Sequence, residues 1–138
     1  MRHPIHPALV HFPITCWSLA TTADFASIWL GEAAWQWSGG LLIVGCTVAV
    51  LAMLAGMMEL VHVPDGAAMR DAWAHMGAML CAFTFFITRL MLRLDHWEPL
   101  APNTTSLFLD ACGFLALAIG GWFGGKLVYH HGVGRDQT

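Results

Sequence analysis

Four long apolar stretches, at about residues 8–30, 37–62, 70–94 and 105–130, constrain this chain more than any other feature. Each exceeds the ~20 helical residues that cross a bilayer. The connectors LGEAAWQW, HVPDGAAM and LDHWEPLAPNTT are short and carry breakers: Pro64, Asp65 and Gly66 in the second, and Pro99, Pro102, Asn103 and Thr104 in the third. Short links between long helices impose antiparallel neighbours. The sequence therefore predicts an all-α, integral membrane, antiparallel up-and-down four-helix bundle, with residues 1–138 forming one domain. Strands of a membrane barrel would need alternating segments of ~10 residues, and the sequence has none.

Composition agrees. With 57% of residues hydrophobic, 11% charged and a mean hydropathy of +0.61, a chain this small could not hide its apolar surface from water, so the lipid bilayer is its first partner. A net charge of −3 with six Lys and Arg leaves no basic face, which excludes nucleic acid. The N-terminus lacks the pattern of a cleaved signal peptide, so the first stretch is expected to stay in the protein. Cys16, Cys46, Cys81 and Cys112 occur singly, without a CxxC or CxxCH pattern, and read as small apolar residues.

Four spans return the C-terminus to the end that holds the N-terminus, here the near end. Arg2, Arg70, Lys126 and Arg135 fall there, against Arg89 and Arg93 toward the far end. The positive-inside bias then places both termini in the cytoplasm and the chain in a bacterial inner membrane. Trp29, Trp35, Trp37 and Trp97 fit an aromatic belt at the far end and Trp73 one at the near end. Trp17 and Trp122 lie deeper, where packing or cofactor lining is their expected role.

The histidines are unevenly spread. His3, His6, His11, His62, His75, His130 and His131 fall at the near end, and His96 alone at the far end. His11, about one turn into the first helix, and His75, slightly deeper in the third, lie at comparable depths at ~1.5 Å rise per residue and are expected to face each other. An imidazole at membrane depth needs a partner and is the commonest metal ligand. His11, His75, His6 and His131 are therefore the candidate ligands, while His3, His62, His130 and His96 read as interfacial. Haem b suits an apolar bundle with axial histidines, its propionates turned toward Arg70, Lys126 or Arg2. Gly120, Gly121, Gly124 and Gly125 form overlapping GxxxG pairs that admit a porphyrin face, a helix of the same bundle, or a second copy in a homodimer. The rivals are bare ions. Met76, Met79, Met57 and Met58 with imidazoles suit copper, and Glu59 with imidazoles suits zinc or non-haem iron. In a third alternative, a membrane scaffold, the histidines only make hydrogen bonds.

Asp24, Arg89 and Asp110 share a depth toward the far end. Charges there are stable only when paired, so they are expected to form a network. Its role is either a structural clasp or a path for protons or quinone.

Taken together, the opening HPIHPALVHFP, Asp24, the GMMEL around Glu59, His75, Arg89 and the ending GGKLVYHHGV resemble a family of small bacterial four-span membrane proteins of unknown function. The resemblance covers nearly the whole chain. It implies an integral membrane protein, in some members joined to or encoded near cytochrome components, and picks out His3, His6, His11, His75, His131, Asp24, Glu59 and Arg89. Four-span membrane b-type cytochromes are similar in architecture only. The resulting expectation is a b-type cytochrome with one or two haems, passing electrons between a membrane reductant such as quinol and a cytochrome or other redox partner, as a quinone-linked oxidoreductase would require.

Overall fold

The computed structural model describes residues 5–95 and 98–134. Four helices follow one another, α1 (Ile5–Leu30), α2 (Glu32–Leu60), α3 (Ala67–Arg93) and α4 (Thr104–Tyr129), giving the all-α bundle expected from the apolar stretches. Among the described residues the only extended pairing is a two-residue antiparallel ladder after α3, Leu94 opposite Pro99 and Asp95 opposite Glu98. His3, Arg2, His96, Trp97 and Arg135, given interfacial, topological or belt roles from the sequence, lie outside the described residues.

Two boundaries differ from the sequence reading. The connector LGEAAWQW is not a loop: Gly31 alone, at φ +63°, reverses the chain, and α2 starts at Glu32. Glycine reaches that left-handed conformation without a Cβ clash, while Glu32, Ala33 and Ala34 favour a helix start, the acidic residue complementing the helix dipole. At the near end the described part of α1 begins at Ile5 and includes Pro7, ahead of the expected start; proline is tolerated in a first turn, whose N–H groups lack helical partners. Gly66, at φ +95°, precedes α3. Asn103 caps α4 by accepting from the Ser106 N–H at 2.9 Å.

Helices α1 and α2 pack closely along their length, as do α3 and α4, so the bundle is two tight hairpins that touch each other more sparingly. Their shared core holds Trp17, Leu42, Phe86, Leu90 and Leu117 among small residues such as Ala20, Ala49, Ala82 and Ala116. Small residues let helix backbones approach where lipid supplies no hydrophobic drive. At the centre Trp17 of α1 stacks on Phe86 of α3, with centroids 4.8 Å apart and planes 15° from parallel. Trp122, also expected inside, is instead 76% exposed. Helices α2, α3 and α4 are long and apolar enough to cross a membrane. The 26 residues of α1 are as long, but His6, His11 and Asp24 interrupt its apolar run. Exposed apolar side chains cover the outside, including Trp29, Trp37, Leu54 and Phe108, as a lipid-facing surface requires.

Gly45 of α2 lies under Trp17: a Cβ there would stand 2.8 Å from the indole, which also stacks on Phe86. Gly45→Ala is therefore expected to destabilise the protein by about 1–3 kcal/mol in detergent unfolding. Gly40→Ala, with open space around it, is expected to be neutral or stabilising; equal stability of the two variants would contradict this packing.

Candidate functional site

The sequence pairs His11 with His75, and the structure corrects this. His6 is the residue that faces His75, its ring centroid 6.3 Å away and its plane at 84°. The reason is helical phase. Pro13, Trp17, Ala20 and Asp24 are buried, and His6 sits seven residues before Pro13 on that same face. His11 is about 140° around the helix from His6 at ~100° per residue, and it is exposed.

Both imidazoles are oriented in the same manner. His6 Nδ1 lies 2.7 Å from the Ala52 carbonyl oxygen of α2, and His75 Nδ1 lies 2.8 Å from the Gly120 carbonyl oxygen of α4. A carbonyl only accepts, so each Nδ1 carries a proton, and the lone pair of the imidazole form lies on Nε2. Among the described residues neither Nε2 takes part in a hydrogen bond. Histidines that ligate a metal have this same arrangement, one nitrogen donating to a carbonyl and the other left for the metal. Glycines clear the space, since a Cβ on Gly56 would stand 3.0 Å from the His6 ring and one on Gly124 would stand 3.1 Å from the His75 ring.

The other expected ligands are placed elsewhere. His131 Nε2 lies 2.7 Å from Asp71 Oδ2, which also holds Lys126 Nζ at 2.9 Å, a polar clasp between the start of α3 and the end of α4. His130 and His62 are exposed, as is Arg70. Glu59 accepts from the His6 backbone N–H at 3.2 Å, so its carboxylate serves the N-terminus of α1, where the helix dipole favours negative charge. Met57 and Met58 point outward, while Met79 packs where a Gly120 Cβ would be. Among the described residues no three His, Cys, Asp or Glu side chains come together as a metal-binding group. Of the glycine stripe, Gly120 and Gly124 face inward and Gly121 faces open space.

The far end holds the second polar cluster, larger than the sequence reading had it. Arg89 Nη2 lies 2.7 Å from Asp24 Oδ2 and its Nε 3.3 Å from Asp110 Oδ2. Arg93 joins them, with Nη1 3.3 Å from Asp24 Oδ1. It also donates to the Ser38 hydroxyl and the Trp35 carbonyl, and its guanidinium lies 5.0 Å from the Trp35 ring centre. Ser38 in turn donates to Asp24. Two carboxylates and two guanidiniums balance, and all four residues are at most 1% exposed. Reasoning from sequence left Arg93 at the end of a span. Its spacing of four from Arg89, one turn along the same helix face, is the signal that would have found it. A groove of about 600 Å³ between α1 and α4, lined by Thr21, Phe25, Trp29 and Phe114 among others, opens at this end, remote from the histidines.

A lipid-facing exterior, a buried charge network and a pair of opposed imidazoles define an integral membrane protein with a polar axis. Residues 2–137 match the family described as "Predicted membrane protein (DUF2231)", and the chain belongs to that family. No curated protein and no solved structure matches the chain.

Removing one member of a buried charge network strands the others. Arg89→Leu is expected to destabilise the protein by about 3–5 kcal/mol, read from unfolding in detergent. Wild-type stability in that variant would show that the network does not hold the bundle.

Proposed function

We propose that the protein is a membrane-embedded b-type cytochrome with one haem, which His6 and His75 would hold. The observation that carries this reading is the opposition of two imidazoles at 6.3 Å, each with its Nδ1 committed to a carbonyl. Two imidazoles sharing one metal through bonds of about 2.0–2.1 Å have their ring centres about 6 Å apart. Two protein ligands suit a cofactor that brings the remaining donors. That favours haem over a bare copper, zinc or iron ion, which would draw three or four ligands from the chain, and Glu59 is already engaged at the helix start.

One haem follows from one facing pair, since His11 is exposed and His131 is bound to Asp71. Bound haem supplies one-electron chemistry, suited to passing electrons from a membrane reductant such as a quinol to a second redox partner. The chain's own part is to orient both imidazoles through the Ala52 and Gly120 carbonyls and to surround the site with apolar helices that exclude water. Arg70 and Lys126 mark the end at which propionates would meet water.

All four helices cross the bilayer in this reading, α1 carried by its packing along α2. Arg89 and Arg93 are consumed by the buried network, which leaves the cations at the near end to set orientation. Both termini are then cytoplasmic, in a bacterial inner membrane.

Protein purified after expression with haem supply is expected to show a b-type α-band in its reduced-minus-oxidised spectrum, with one haem per chain. His6→Ala and His75→Ala should each abolish or shift the band, whereas His11→Ala and His131→Ala should leave it unchanged. No haem, or a bare metal ion in its place on elemental analysis, would overturn the proposal.

A further inference from the structure

The two hairpins carry one pattern twice. His6, Trp17 and Asp24 of α1 fall 69 residues before His75, Phe86 and Arg93 of α3. Gly45, Ala52 and Gly56 of α2 fall 68 residues before Gly113, Gly120 and Gly124 of α4. The contacts repeat with the numbering. His6 bonds the Ala52 carbonyl and His75 the Gly120 carbonyl. A Cβ on Gly56 would meet the His6 ring at 3.0 Å, and one on Gly124 the His75 ring at 3.1 Å. A Cβ on Gly45 would meet Trp17 at 2.8 Å, and one on Gly113 would meet Phe86 at 3.0 Å.

Moreover, counterparts touch one another at three levels: His6 faces His75, Trp17 stacks on Phe86, and Asp24 pairs with Arg93. A residue meets its own counterpart only on a two-fold axis. Repeats related by an axis along the membrane normal, with a site at their interface, are a known way of building membrane proteins.

We infer that the chain is two copies of one helical hairpin, and that its site is made of equal halves, each an imidazole, a backbone carbonyl and a clearing glycine. Gly56 and Gly124 are thus positioning residues of the same rank. Each lets its imidazole lie against the neighbouring helix with Nδ1 on a carbonyl and Nε2 left for a ligand on the axis. The ligand class that follows is a metal-centred cofactor with two equivalent axial positions. This rests on the haem reading above and extends it, because that reading alone does not require the two ligands to be supported alike.

The test uses the full chain in detergent, titrated with haemin. Gly56→Ala and Gly124→Ala are each expected to weaken haem affinity about 10–100-fold, as loss of an orienting partner does at metal sites, by factors within about threefold of each other, and to shift the α-band in the same direction. Gly121→Ala, with open space at its Cβ, should change neither. If the Gly56 and Gly124 variants do not accumulate, His6→Ala and His75→Ala serve instead, both expected to yield a five-coordinate spectrum that added imidazole restores. A wild type that binds haem while one half proves silent overturns the equal halves and leaves the cytochrome. A wild type that binds no haem overturns both.

Discussion

A charge inside a bilayer persists only beside its partner, and the cluster of Asp24, Arg89, Asp110 and Arg93 is the constraint on which the rest of this bundle depends. It draws charged groups from α1, α3 and α4, and through Ser38 and Trp35 it reaches α2. Every helix is thereby fixed in rotation as well as position. With Asp24 turned to the axis, residues 20, 17, 13 and 6 of α1 follow at helical spacing. With Arg93 turned inward, residues 89, 86, 82 and 75 of α3 follow at the same spacing. Trp17 then meets Phe86, and His6 meets His75 about three turns beyond. The histidine pair is positioned from the opposite end of the membrane by the phase of two helices.

Close approach is the second requirement. Where α1 lies on α2, and α3 on α4, the contacts are glycines under large rings: Gly45 under Trp17, Gly113 against Phe86, Gly56 under His6 and Gly124 under His75. Gly39 does the same for Arg93, since a Cβ there would stand 2.9 Å from Nε. With the two imidazoles pressed against the partner helix, their Nδ1–H groups reach backbone carbonyls. Each hairpin thus satisfies its own imidazole Nδ1–H, while the charge network at the far end joins the two hairpins. Weak contact between hairpins and strong contact within them is the architecture a ligand at the seam would use.

Much of this fold was legible in the sequence because hydrophobic length and breakers act locally. Four apolar stretches gave four helices, and the need to pair Asp24, Arg89 and Asp110 at one depth gave the network. What sequence reasoning missed depended on angular phase or on a single backbone conformation. His11 was preferred to His6 by depth, although its direction around the helix turns it out to the surface. Glu59 looked like a ligand by proximity, and its carboxylate is spent on the start of α1. One glycine at positive φ replaced an expected eight-residue connector. The pairing of His6 with His75 becomes visible once positions 69 apart are set side by side, a comparison across halves that a single pass along the chain does not make.

Whether His6 and His75 share one centre is read most directly from the low-temperature EPR spectrum of the oxidised, haem-loaded protein. Two imidazoles with planes 84° apart on one ferric iron give a highly anisotropic low-spin signal, and that is the expected result. A high-spin signal, or no ferric haem signal at all, would contradict it.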